Sequence, residues 1–341
     1  MNPRRYIPVI LNNMIWILLL GVIFLFSLLT DRFLTINNIF GNIIVDGAVL
    51  GIMVIGQSFT LLTGNFDLSM ESTLGLCAFV GAWLVAPLGS SANGSGWMVH
   101  PFIAAVVMLA LGLLIGWVNG NLITRLKMNN FIATLAMLII LRGIVLVLTQ
   151  GLTITQLPSL FTVLGQGQIG ILPVSAIILV IAFVIAHFVM RYRIFGRDLY
   201  AVGGNREAAL AAGIDPDKRV RQAYLLSGFL AAFAGWILAG RLGVVVPRLG
   251  QGMIFEVFAA AVIGGISLQG GRGTMLGALG GVLLLSAIDS GLNLMRVSSF
   301  WIQTVRGVVI LIAMFIDAQK VRYTVPTSTA KLTSIVTPAG D

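Results

Sequence analysis

Residues 43–62 read IIVDGAVLGIMVIGQSFTLL, a run whose single charge, Asp46, stands among apolar and small residues. A helix rises about 1.5 Å per residue, so a run of this length crosses the roughly 30 Å hydrocarbon core of a bilayer. Strands of a membrane barrel would instead alternate polar and apolar positions over about ten residues. Runs of the same kind recur along the chain at 14–30, 43–62, 73–86, 98–118, 131–149, 170–190, 223–241, 254–268, 274–290 and 301–317. They predict an all-α integral membrane protein with about ten transmembrane helices. The third, eighth and ninth runs are short and read as half-helices or buried segments, which are tolerated where backbone lines a cavity or packs inside protein.

Composition agrees. The 341 residues are 58% hydrophobic and 10% charged, against about 25% charged residues in an average soluble domain. The first run follows the basic start MNPRR and meets Thr30, Asp31 and Arg32, not a small-residue cleavage site, so it reads as a retained first helix. Cys77, the one cysteine, allows no intrachain disulfide.

With the first residue inside, Arg4, Arg5, Arg125, Lys127, Arg191, Arg193, Arg197, Arg206, Lys218, Arg219, Arg221, Arg272, Lys320, Arg322 and Lys331 share one side, 15 of the 21 basic residues. Arg32, Arg248 and Arg296 fall on the other. This asymmetry places both termini in the cytoplasm. It also accounts for the net charge of +9 without a nucleic-acid partner, because no folded basic domain carries the charge. The chain divides into a polytopic domain over 1–317, with its longest internal loop at 191–222, and a flexible cytoplasmic tail over 318–341.

Enzyme motifs are sparse. GQGQIG at 165–170 fits a dinucleotide pattern but lacks the strand and helix context, and reads as a loop. GGRGT at 270–274 has phosphate-loop flavour, yet the chain contains no G-x-x-x-x-G-K-[ST]. His100 and His187 have no metal-ligand spacing. What stands out are ionisable groups in or beside the apolar runs: Asp46, Asp67, Glu71, Arg142, Glu256, Asp289 and Arg306. Charges at that depth either turn to an interior path or cap helix ends. TGNFDLSMES at 63–72 puts Asn65, Asp67, Ser69 and Glu71 between two runs with almost no room for a loop, as a broken helix would. Aligning Gly64 with Gly264 and Leu68 with Leu268 lays TGNFDLS over IGGISLQ, an echo that suggests duplicated halves.

The stretch GGNREAALAAGI at 203–214 interrupts the basic loop with a short helix signal. Asn205 is a good N-cap, Glu207 suits the positive end of the macrodipole, Ala208 to Ala212 form helix readily, and Gly213 is a natural stop. Two turns cannot repay nucleation in water, so something must hold this helix. Leu210 and Ile214 are apolar; they suit a groove on a partner protein, or the lipid headgroups.

Several segments together resemble the membrane permease subunits of ribose-type sugar ABC importers. They are RFLTINNIF at 32–40, FDLS at 66–69, NNFIATLAMLIILRG at 129–143, GRDLYAVGGNREAALAAGI at 196–214, AAVIGGISLQGGRGTMLGALGG at 260–281 and GLNLMRVSSFWIQTVRGVVILIA at 291–313. The resemblance implies a bacterial inner-membrane importer in which two permease subunits, identical or paralogous, form the path. It implies separate cytoplasmic ATPase subunits that carry ATP and Mg, with no cofactor on this chain, and a periplasmic or extracellular binding protein that delivers the sugar. The ATPase-coupling residues carried over by position are Gly203, Gly204, Asn205, Glu207, Ala208, Leu210, Ala211, Gly213 and Ile214. Where such permeases read close to GGIDLSVG, this chain has Asn65, Phe66, Met70 and Glu71 around an unchanged Asp67, Leu68 and Ser69.

A neutral polyol needs hydrogen-bond partners, so Gln57, Asn65, Ser69 and Asn119 are path candidates, with Phe66, Asp67 and Glu71 beside them. Arg248 and Arg296 on the outer loops are candidates for contact with the binding protein. The rival reading is a proton- or sodium-coupled secondary transporter with Asp67, Glu71 or Glu256 at its coupling site.

Overall fold

A computed structural model describes residues 14–88, 96–298, 300–308 and 311. The basic start MNPRR, most of the loop at 87–97, much of the end of the 301–317 run and the 318–341 tail lie outside the described residues.

The apolar runs become α1 (Met14–Leu29), α2 (Ile36–Leu62, with a π-type turn at Ile39–Ile43), α3 (Met70–Val85), α4 (Pro101–Thr124) and α5 (Asn130–Thr149). A short α6 (Ser159–Gln166) and a hairpin of β1 (Gln168–Ile169) and β2 (Leu172–Pro173) precede α7 (Val174–Tyr192). GQGQIG is therefore the end of α6 and the first strand of that hairpin. Then come α8 (Ile194–Gly204), α9 (Arg206–Ala211), α10 (Pro216–Leu242), α11 (Met253–Ile263) and α12 (Met275–Leu294). A further helix, α13, covers 300–308. Among the described residues six helices, α2, α4, α5, α7, α10 and α12, are long and apolar enough to cross a bilayer, while α1, α3 and α11 are apolar but shorter.

Boundaries moved where local chemistry outweighs hydropathy. The predicted run 223–241 starts seven residues earlier, at Pro216, because Asp215 accepts the Lys218 N–H at 2.9 Å and proline suits the first helical position. The predicted run 254–268 stops at Ile263, where Gly265 takes φ +87 and closes the helix.

Apolar side chains cover the outside as well as the core. Phe24 and Leu28 on α1, Ile132, Ile139 and Val147 on α5, and Val180 and Val184 on α7 are all exposed. In water so large an apolar face would aggregate; against lipid tails it is the expected surface. Lipid is as apolar as leucine, so close packing must hold the helices together. The buried helix α10 packs along α2, α3, α4 and α6. Against α4 it meets a face of Gly112, Gly116 and Gly120, spaced four apart. A Cβ on Gly112 would lie 2.4 Å from the Gly228 carbonyl oxygen, and one on Gly116 2.2 Å from that of Tyr224.

Gly116→Leu is therefore expected to cost roughly 3 kcal/mol or more, at or beyond the upper end of overpacking, because the obstacle is backbone. Gly143→Ala, with open space around its Cβ position, is the silent control. Thermal unfolding of the two variants in detergent checks this, and equal midpoints would refute it.

Helix direction sorts the connections to two ends. Segments 63–69, 125–129, 193–215 and 264–274 meet at one, through Asn130 to Asn65, Lys127 to Asp217 and Tyr200 to Gly273. Segments 150–158 and 243–249 meet at the other, where Ile154 bridges Val245. The first end holds Arg125, Lys127, Arg191, Arg193, Arg197, Arg206, Lys218, Arg219, Arg221 and Arg272.

Candidate functional site

The break after α2 is a well-formed stop. The Gly64 N–H donates to the Leu61 carbonyl at 2.8 Å and the Asn65 N–H to that of Thr60 at 3.1 Å, with Gly64 at φ +74. The same pair of bonds ends α11: Gly265 N–H to Val262 at 2.8 Å and Ile266 N–H to Ala261 at 2.9 Å. The echo is thus real as local geometry, but its register is Gly64 with Gly265, one residue from the sequence alignment. The two breaks also touch. The Gly271 N–H donates to the Leu62 carbonyl at 2.9 Å.

Neighbouring helices grip residues 65–69. Asp67 is 1% exposed. Its Oδ1 accepts the Ser69 N–H at 3.1 Å and the Ser69 hydroxyl at 2.6 Å, while Oδ2 accepts the Ser227 hydroxyl of α10 at 2.6 Å. Asn119 of α4 donates Nδ2 to Ser69 Oγ at 2.8 Å. Tyr224 of α10 donates its hydroxyl to the Phe66 carbonyl. Asn130, at the start of α5, donates to Asn65 Oδ1 at 3.0 Å, and the Phe66 ring lies 5.8 Å from Phe258 of α11. Three path candidates, Asp67, Ser69 and Asn119, therefore form one hydrogen-bonded cluster with Ser227, while Asn65 bonds Thr63 and Asn130 beside it. Gln57, on α2, is fully buried, and among the described residues both its amide oxygen and nitrogen lack a hydrogen-bond partner; Asn119 Oδ1 lacks one too. Leaving such groups unpaired costs about 1–3 kcal/mol each.

Glu71 does different work. Its Oε2 accepts the N–H groups of Gly252 at 2.8 Å and Ile254 at 3.3 Å, which caps the N-terminus of α11. Arg142 of α5 stands 3.6 Å from Oε1 and donates to the Leu249 carbonyl at 3.0 Å and the Pro247 carbonyl at 3.4 Å. The irregular segment 243–252 packs against α3, where a Cβ on Gly250 would lie 2.8 Å from Leu74. An acid and a base thus satisfy non-helical backbone inside the bundle, where water does not. Near the other end, Arg306 of α13 pairs bidentately with Asp289 of α12 at 2.7 Å and also bonds Glu256 of α11. Asp46 pairs with Arg241.

At the basic end, Asn205 Oδ1 accepts the Ala208 N–H at 2.9 Å, and Gly213 at φ +80 stops α9, as the sequence predicts. The loop holds two helices in place of one, however: Gly203 and Gly204 finish α8. Leu210 is 64% exposed, while Ile214 turns inward and packs near Val202, Ala209, Val220 and Tyr224. Leu210 thus stands on an exposed face with Glu207, Ala208 and Ala211 around it. Gly203 is held tightly, since a Cβ there would lie 1.8 Å from the Leu62 carbonyl oxygen. Tyr200 of α8 donates its hydroxyl to the Gly273 carbonyl at 2.9 Å, and burial pushes this phenol's pKa up, keeping it a donor. Both helix breaks therefore abut α8. Arg248 and Arg296 are exposed on loops at the opposite end, and no ion pair holds either among the described residues.

Sequence reasoning did not find Tyr224, Ser227 or the role of Arg142. A serine in an alanine- and glycine-rich helix gives no sign of what it faces.

Comparison with known proteins places this arrangement. The family model described as branched-chain amino acid transport system / permease component matches residues 39–314. The ribose import permease protein RbsC of Bacillus subtilis (strain 168) is 40% identical over 301 residues, covering 88% of this chain and 90% of that one. The xylose transport system permease protein XylH of Haemophilus influenzae is 29% identical, covering 90% and 96%. The autoinducer 2 import system permease protein LsrC of Photorhabdus luminescens is 31% identical, covering 92% of each. No solved structure matches. On these matches the chain belongs to the branched-chain amino acid transport system / permease component family, among its ribose-type ABC permeases.

Proposed function

We propose that this chain is the multi-pass membrane permease subunit of a bacterial inner-membrane ABC importer for a sugar or related polyol. The observation that carries the reading is the similarity to ribose, xylose and autoinducer 2 permeases over most of the chain. The site geometry supports it. A capped helix offers Leu210 to a partner at the basic end, which the charge bias makes cytoplasmic. On this reading both termini are cytoplasmic, about ten helices cross the membrane, and the two helix breaks are remnants of a duplication.

Gly203, Gly204, Asn205, Glu207, Ala208, Leu210, Ala211, Gly213 and Ile214 form the coupling element. Asn205 and Gly213 bound its helix, Gly203 and Ile214 seat it, and Glu207, Ala208, Leu210 and Ala211 meet the ATPase, which carries ATP and Mg. Gln57, Asn65, Phe66, Ser69 and Asn119 border the path, and the buried amide of Gln57, with no hydrogen-bond partner among the described residues, is free to pair with a solute. Asp67 and Glu71 hold the walls of the path. Arg248 and Arg296 face the binding protein, and a second permease subunit completes the path.

Leu210→Arg puts a charge on the apolar docking face without touching a buried residue. Capture of the ATPase encoded beside this gene by the purified permease is expected to fall at least tenfold, about 1.4 kcal/mol or more in binding. Failure of folded wild-type protein to capture that ATPase, in nanodiscs as well as detergent, would overturn the reading. It would favour the secondary transporter, in which Asp67, buried and without an ion pair among the described residues, is the group to change.

A further inference from the structure

Asp217, Val220, Tyr224 and Ser227 stand at spacings of three, seven and ten along α10, so they line one side of a single stiff helix. At the outer end of this row Asp217 binds two partners. Its Oδ2 accepts Lys127 Nζ, from the loop between α4 and α5, at 2.9 Å, and its Oδ1 accepts the guanidinium of Arg206, the first residue of the docking helix α9. At the inner end Tyr224 and Ser227 hold the Phe66 carbonyl and the Asp67 carboxylate of the first helix break. A second strut runs beside the first. Arg219 of α10 donates Nε to Asp198 of α8 at 2.8 Å.

The two grips differ in kind. Lys127 and Arg206 have side chains 65% and 52% exposed, and ion pairs in that setting break and re-form at little cost. Ser227 and Asp67 are buried, with no water to compete for their bond. Between the grips, Asn65, Ile123, Thr124, Lys127, Arg206, Asp217 and Val220 line a cavity of about 250 Å³.

From this geometry we infer that α10 is a lever between the docking helix and the helix break, with Asp217 as the exchangeable grip at its outer end and Tyr224 and Ser227 as the fixed grip at its inner end. These three are positioning residues, since none of them is assigned contact with solute or ATPase. The inference rests on the reading of α9 as the ATPase docking helix. It adds that the motion reaches the path along the row 217–227, not through the lipid-facing helices.

The test uses the full complex of permease and ATPase in nanodiscs, with Asn65→Cys as a reporter in a Cys77→Ser background. The rate at which a charged methanethiosulfonate modifies Asn65→Cys is measured before and after trapping the ATPase with ATP and vanadate. The rate is expected to change on trapping in the reporter background. That change should be lost in Tyr224→Phe with Ser227→Ala, while ATPase capture persists. If the buried double variant does not fold, Asp217→Asn at the exposed end should lose the response as well, and Asp217→Glu should keep it. An unaltered response in the folded variants, or no response in a reporter complex that assembles, overturns the lever. Failure of the reporter permease to capture the ATPase at all overturns the docking reading instead.

Discussion

Arg142→Leu is expected to leave little folded protein. Arg142 is the cation for Glu71, and it also satisfies the Leu249 and Pro247 carbonyls. Removing one partner of a buried pair costs about 3–5 kcal/mol, because the remaining charge stays buried without compensation. Here two backbone carbonyls of the irregular segment 243–252 lose their donor as well. The loss should appear as a large drop in the unfolding midpoint in detergent and as protein running in the void on gel filtration. Arg142→Lys keeps the charge but not the planar fork, so it should recover only part of the loss. Arg142→Leu with Glu71→Gln removes the stranded charge while weakening the α11 cap, and should fall between the single variant and wild type. A wild-type midpoint for Arg142→Leu would show that Glu71 needs no partner, and the acid would then return to the list of groups facing the path.

Glu71 and Arg142 show where the sequence was readable and where it was not. The apolar runs mark where helices lie, because length and composition suffice for that, and Asn205 and Gly213 mark α9 because caps are local. Which side of a membrane helix faces protein is a different matter. A helix that is apolar all round has no polar stripe to set against a buried one, so α2 and α5 look alike in sequence although α2 is buried from Val45 to Leu62 apart from Asp46, and α5 is mostly exposed. Glu71 stands out in the sequence as a charge beside the path, but that its partners are the amides of Gly252 and Ile254, some 180 residues away, depends on how 243–252 folds back against α3. The inward packing of Ile214 is hidden from the sequence for a similar reason. Its neighbours Val202, Val220 and Tyr224 come from the two flanking helices, and a two-turn helix considered alone shows no such floor. The one-residue shift in the echo, from Gly264 to Gly265, reflects two adjacent glycines, either of which could supply the left-handed turn.

Gly203→Leu and Gly204→Ala, changes at adjacent residues, should differ as much as any pair in the chain. At Gly204 a Cβ meets nothing within 4 Å; at Gly203 it would lie 1.8 Å from the Leu62 carbonyl oxygen and 2.5 Å from the Gly271 nitrogen. Those two atoms are hydrogen-bonded to each other at 2.9 Å, so Gly203 sits directly over the bond that joins the two helix breaks. A side chain at this place must either lift α8 away from the end of α2 or push the breaks apart, since backbone cannot rotate aside as a side chain can. Lifting α8 carries α9 with it, because only Asn205, in an extended conformation with φ −158 and ψ 109, separates the two helices. Gly203→Leu should therefore insert into the membrane and keep the α4 to α10 packing, yet lose ATP-driven uptake almost completely. Gly204→Ala should keep α8 seated on the breaks and retain most of the uptake. Uptake of the solute by proteoliposomes holding the complete importer, with ATPase capture measured on the same preparations, separates the outcomes. Normal capture with no uptake would locate the fault at the junction of the breaks, and loss of both would locate it in the seating of α9. Normal uptake by Gly203→Leu would mean that α8 does not bear on the breaks during transport.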